Sequence, residues 1–103
     1  GVTVLLKGNA TVVADPDGRA LIDPAADSFA ATAGSGDVLT GMLGALLAAG
    51  LEPWWAAGCA TFVHGRAATT ASREHGLPPV PAPASRMQAA IPEAIRAVRA
   101  ARS

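Results

Sequence analysis

From Val38 to Ala49 the chain is apolar nearly all round. A helix without a polar face has to be buried, so this run predicts a core helix with other layers packed around it. Gly34-Ser35-Gly36-Asp37 opens the helix and Gly50 ends it, a glycine just past the last turn being the usual stop. Gly41 and Gly44 are expected to leave flat spots where another backbone can come close.

The rest of the chain supplies candidate layers. Val2 to Leu6 is β-branched and aliphatic without alternation, which predicts a strand buried on both faces, as in a parallel α/β sheet. Thr11–Ala14 and Arg19–Ile22 flank Asp15-Pro16-Asp17-Gly18, where Pro16 presets a turn and Gly18 accepts positive φ, so a β-hairpin is predicted. The small residues from Asp23 to Ala33, with Pro24 and no period, read as an ordered loop. A second helix is expected to start at Pro53 and stop near Gly76, with Trp54 and Trp55 as packing anchors at its start. Its His64 reads as a packed, hydrogen-bonded histidine, and His75 as a charge partner at its C-terminal end. Four prolines between Leu77 and Pro83 forbid helix there. A third helix, from about Ser85 to Ala101, should carry Met87, Ile91, Ile95 and Val98 on one face and a solvated stripe of Arg96, Arg99 and Arg102 on another. A buried strand needs neighbours on both sides, and the hairpin is the chain's only other β segment, so the fold is expected to use partner strands from elsewhere.

Charge narrows the function classes. Eight basic and eight acidic side chains give a formal net charge of zero, which provides no electrostatic footprint for nucleic acid or an anionic membrane. No apolar run reaches the roughly 20 residues that span a bilayer. The opening Gly1-Val2-Thr3 lacks the basic leader of a signal peptide. Cys59 stands alone, which excludes an internal disulfide and points to reducing cytosol, so a cytoplasmic protein is expected. Asn9-Ala10-Thr11 matches a glycosylation sequon, but no other feature suggests secretion.

The chemistry concentrates at Gly34-Ser35-Gly36-Asp37. Two glycines around a serine let successive backbone N–H groups turn towards one point, and the following helix adds its positive end, which makes an anion hole suited to phosphate. Asp37 at its mouth would repel a phosphate unless it has a separate task, such as accepting a proton from an attacking hydroxyl. The bland alternative is an N-cap or first-turn acid after a glycine-rich turn. The segment is neither the lysine-containing phosphate loop nor a complete G-x-G-x-x-G dinucleotide fingerprint. Lys7 and Thr11 leave the end of the first strand, where α/β folds bind ligands, and are candidates to line a nucleotide.

Taken in series, Val4 to Pro16, Ala31-Thr32-Ala33-Gly34-Ser35-Gly36-Asp37-Val38-Leu39-Thr40-Gly41 and Val63-His64-Gly65 resemble the C-terminal part of the ADP-dependent NAD(P)H-hydrate dehydratases, a family of the ribokinase-like superfamily. The resemblance runs from about Val2 to Gly76. It implies an α/β, ribokinase-like three-layer sandwich, of which residues 1–103 form the C-terminal nucleotide-binding portion as strand, hairpin and three helices. It also implies a reaction. ADP, or ATP in eukaryotic members, phosphorylates the hydroxyl of the S epimer of hydrated NADH or NADPH, and loss of phosphate restores the coenzyme with release of AMP. By that resemblance Lys7, Gly8, Asn9, Ala10, Thr11 and Gly36 contact the AMP part, and Gly34, Ser35 and Gly36 hold the transferred phosphoryl group. Asp37 faces the substrate hydroxyl as catalytic base, and Mg2+ bridges the phosphates.

Two departures from the family pattern are visible. Asp23-Pro24-Ala25-Ala26-Asp27-Ser28-Phe29 is less glycine-rich than the usual loop, and Ser85-Arg86 stands where a small residue followed by aspartate is common. The expected partners are the nucleotide, the hydrate, the upstream remainder of the same domain and further copies in a homo-oligomer. Residues 1–103 alone are expected to be inactive. The alternative functions are a ribokinase-like kinase for another small alcohol and a truncated nucleotide-binding fragment without catalysis.

Overall fold

The computed structural model describes residues 2–7, 11–23, 34–74, 76–77, 80 and 82–101. Strands β1 (Val4–Lys7), β2 (Thr11–Ala14) and β3 (Ala20–Asp23) form an antiparallel sheet in the order β1-β2-β3. Helices α1 (Ser35–Ala48), α2 (Pro53–Ser72), α3 (Ala84–Ala89) and α4 (Ile91–Ala101) follow, giving a mixed α/β chain. None of these helices is long and apolar enough to cross a membrane.

The hairpin forms where its turn residues put it. Gly18 takes φ 94° and donates its N–H to Asp15 O at 3.1 Å, while the Asp15 N–H reaches Arg19 O at 2.9 Å. This is a β-turn followed by a left-handed glycine, the geometry that joins two strands without splaying them. Leu5, Val13 and Leu21 lie in one cross-strand row, and Val13 is fully buried. Leu5 shares a cleft with Leu43 and Leu47 of α1 and Pro53 and Ala57 of α2, so this row faces the helices.

The first strand differs from its prediction. It begins at Val4, because the ladder ends at the Val4–Ala14 pair, beyond which Pro16 has no N–H to offer. There the Thr3 hydroxyl donates instead to Asp15 Oδ1 at 2.8 Å. Nor is the strand buried on both faces: its described neighbour is antiparallel β2, and Val4 and Leu6 are exposed, as is Ile22 on the same face of β3. The helices cover the opposite face alone.

The main core lies among the helices. Ala67, Ala68 and Ala71 of α2 pack with Ala82, Met87, Ala90 and Ala94, Met87 being fully buried. The alanines leave α2 with a shallow surface, so α3 and α4 approach closely and Met87 fills the remaining space. The predicted third helix is two helices. Ala90 ends α3, and Pro92 falls in the first turn of α4, where its missing N–H and its ring are tolerated but would break a continuous helix. The buried face therefore runs through Met87, Ala90 and Ala94, leaving Ile95 exposed rather than on the core side.

Helix α1 is bounded as its glycines indicate, with Gly34 at its N-cap and Gly50 at φ 97° beyond its end. It is not buried as predicted: Leu39 alone is fully inside among its described side chains. Nothing comes within 4 Å of a β-carbon built at Gly41 or Gly44, so no described backbone uses those flat spots. Of the two tryptophans, Trp54 packs under Arg19, whereas Trp55 is exposed. His64 is buried as expected. His75 and the loop 24–33 lie outside the described residues, as do the side chains of Val98, Arg99 and Arg102.

Candidate functional site

The turn that opens α1 depends on Gly34. It holds φ 85° and ψ −4°, in the left-handed region that a side chain strains, and a β-carbon there would lie 3.2 Å from that of Ala84. Glycine is thus favoured by its own backbone, and the Ala84 side chain leaves little room for a larger residue. As an N-cap, Gly34 contributes no side-chain hydrogen bond to the first N–H groups of α1. Those groups and the positive end of the helix dipole converge beyond Gly34, which is what an anion needs.

Ser35 and Gly36 are the first two residues of α1, and Asp37 completes its first turn with an exposed carboxylate. Asp37 is therefore not the N-cap, the place Gly34 occupies. The Thr40 hydroxyl donates to Gly36 O at 2.9 Å and helps fix the turn. Gly34 and Asp37 share a groove of about 610 Å³ with Met42 of α1 and with Ser85 and Gln88 of α3. Among the described residues no lysine or arginine lines it. Ser85 and Gln88 carry no local sign of a site. They reach the groove because the backbone before α3 returns to the Gly34 turn, a contact between distant segments.

At the hairpin, Lys7 and Thr11 are direct cross-strand partners, and Thr11 pairs on its other side with Asp23. The two predicted nucleotide residues are thus brought together at one end of the sheet. Lys7 is exposed, yet partial desolvation lowers its ammonium from the ordinary lysine value. An incoming phosphate would oppose that shift by favouring the charged form. Gly8, Asn9 and Ala10, predicted to contact AMP, lie outside the described residues. Neither Lys7 nor Thr11 lines the groove at Asp37. The hairpin and the α1 turn are two separate pieces of candidate binding surface.

A third cluster was not anticipated. The Arg19 guanidinium bonds Asp15, Asp17 and Glu52, the last at 3.0 Å, and stacks 4.8 Å from the Trp54 ring. It ties the turn of the hairpin to the start of α2. Hydrogen bonds from Arg19 and then Thr3 hold the Asp15 carboxyl below its usual range. Asp15, Asp17 and Arg19 alternate through the turn and could have suggested a local ion pair, but nothing in that segment announces Glu52 or Trp54. Among the described residues no group of three or more histidine, cysteine, aspartate or glutamate side chains comes together as a metal site.

Comparison with known proteins identifies the family. The family model described as NAD(P)H-hydrate dehydratase matches residues 1–92. The bifunctional NAD(P)H-hydrate repair enzyme Nnr of Mycobacterium leprae is 57% identical over 98 residues, covering 95% of this chain and 21% of that protein. The ADP-dependent (S)-NAD(P)H-hydrate dehydratase of Neisseria meningitidis serogroup B is 43% identical over 77 residues, 75% of this chain and 26% of its own length. Its Bacillus subtilis counterpart is 39% identical over 72 residues, again with 26% of its length covered. The chain spans between 21% and 26% of the length of these three relatives. With the match extending over residues 1–92, which hold both the hairpin and the α1 turn, the chain belongs to the NAD(P)H-hydrate dehydratase family.

Proposed function

We propose that this chain supplies the phosphate site and the catalytic base for ADP-dependent dehydration of the S epimer of NAD(P)H hydrate. The observation that carries the reading is the left-handed Gly34 turn, which gives α1 an N-cap without a side chain and sets Asp37 in the first turn of the helix. Gly34, Ser35 and Gly36 hold the transferred phosphoryl group by their backbone N–H groups. Lys7 to Thr11 and Gly36 bind the AMP part, the phosphates opposing the desolvation that lowers the Lys7 ammonium from its ordinary value. Asp37 takes the proton of the substrate hydroxyl as its oxygen attacks the terminal phosphorus of ADP, and the bond to AMP breaks. The carbon–oxygen bond then breaks, phosphate leaves, and loss of a proton from the adjacent carbon restores the double bond.

Magnesium would be held by the nucleotide phosphates and would neutralise their charge. An exposed, unpaired Cys59 suits a reducing, cytosolic setting. Soaking ADP into crystals of the full-length protein tests the reading. Phosphate density at Gly34 to Gly36 is expected, and density remote from this turn would overturn it.

A further inference from the structure

We propose that Arg19 is a positioning residue for the nucleotide: it braces the hairpin against the joint between α1 and α2, so that the Lys7–Thr11 end of the sheet keeps a fixed distance from the Gly34 turn. The inference rests on the function proposed above and adds to it a residue that touches neither reactant. The AMP part and the terminal phosphate of ADP are assigned to two separate surfaces, the hairpin and the start of α1, so one ligand has to span both. Its affinity then depends on how firmly the two are held relative to each other, because any freedom left between them is lost on binding.

Arg19 sits where that freedom can be removed. The turn from Asp15 to Arg19 lies at one end of the sheet, and the Lys7–Thr11 pair lies at the other. At the turn end the guanidinium bonds Asp15, donates from Nε to Asp17 Oδ1 at 3.2 Å and from Nη2 to Glu52 Oε1 at 3.0 Å, and lies 4.8 Å from the centroid of the Trp54 ring. The Thr3 hydroxyl donates to Asp15 as well, which draws the start of β1 into the cluster. Glu52 and Trp54 flank Pro53, the first residue of α2, and Glu52 follows the end of α1 by four residues. A single side chain thus joins the sheet to the helix that carries the Gly34 turn. At a rise of about 3.3 Å per residue, Thr11 stands roughly 13 Å along β2 from Asp15, so a small swing at the turn becomes a larger displacement at the nucleotide end. The planar guanidinium suits a brace, because its fixed fork reaches carboxylates on two sides while its face stacks on the indole, which an ammonium cannot do. Exposed ion pairs add little to global stability, so the contribution is local: it limits the motion of the hairpin without deciding whether the chain folds.

The test uses the full-length protein, with initial rates measured against ADP and S-hydrate separately. Arg19→Ala should raise the KM for ADP about fivefold or more, with kcat at saturating ADP and the KM for hydrate within about twofold. Inhibition by inorganic phosphate, which the α1 turn alone would hold, should be unchanged. Arg19→Lys keeps the charge without the fork or the stack and should recover only part of the loss. Effects at sites this far apart ordinarily multiply, so the double variant gives the readout that a merely structural role would not move. In a Lys7→Ala background, Arg19→Ala should raise the KM for ADP by less than about twofold further. Glu52→Ala cuts the link to the helices alone and should reproduce the rise in the KM for ADP, and it decides the matter if Arg19→Ala does not fold. An unaltered KM for ADP, an equal rise for both substrates, or full multiplication with Lys7→Ala overturns the inference. A wild type inactive on hydrate with ADP overturns the functional reading and this inference together, whereas an active wild type with any of those results overturns the inference alone.

Discussion

Arg19 shows how one side chain joins stretches of sequence that carry no mutual signal. Its bonds to Asp15 and Asp17 are local, but those to Glu52 and Trp54 exist only once α2 is docked. The same contrast runs through the candidate site. Gly34 and Asp37 were legible because a glycine-flanked turn and an acid in the first helical turn are properties of adjacent residues. Ser85 and Gln88 were not, because what places them is the return of the chain before α3. The Asp15 carboxyl offers a measurement at this scale. Its folded-state pKa is depressed, so the stability it contributes is present above its ordinary value of about 3.9 and is lost as pH falls through the folded value. In Arg19→Ala the carboxyl should titrate closer to that ordinary value, as read by NMR. The ion pairs are exposed, so overall stability at neutral pH should change little. An unshifted Asp15 midpoint would show that Arg19 does not govern it.

Among the elements, the hairpin and the bounds of α1 and α2 followed from turn glycines and from Pro53, which are signals written within a few residues. Burial did not follow in the same way. The aliphatic run at Val2–Leu6 and the apolar body of α1 predicted immersion, yet both stand largely exposed among the described residues, because periodicity reports what a segment can bury and not what lies against it. The break at Ala90 was readable from Pro92, whose missing N–H outweighs an amphipathic pattern that looks continuous. Met87 joins α2, α3 and α4, and it is fully buried among alanines that are too short to close over its absence. Met87→Ala is expected to lower stability by about 2–5 kcal/mol in chemical denaturation of the full-length protein. A loss below about 1 kcal/mol would mean that the helices collapse around the vacated space.

For the whole molecule, the exposed sheet face and the family match lead to one expectation. Val4, Leu6 and Ile22 form an apolar surface that a soluble monomer rarely leaves open. Residues 1–103 expressed alone are therefore expected to self-associate and to be inactive on hydrate. Light scattering that reports a monodisperse, cooperatively folded monomer would contradict the expected association. In the full-length protein the assigned division of labour makes the start of α1 both phosphate holder and proton acceptor, and Asp37 separates the two roles. The decisive measurement is turnover of S-hydrated NADH with ADP, followed by the return of NADH absorbance, for wild type and Asp37→Asn, alongside ADP affinity by calorimetry. Asp37→Asn should keep ADP affinity within a few-fold and lose roughly a hundredfold or more in turnover, the scale expected for a missing general base. Near-normal turnover in that variant would leave Asp37 as a first-turn acid that only steadies its helix, and would remove the catalytic role assigned to it.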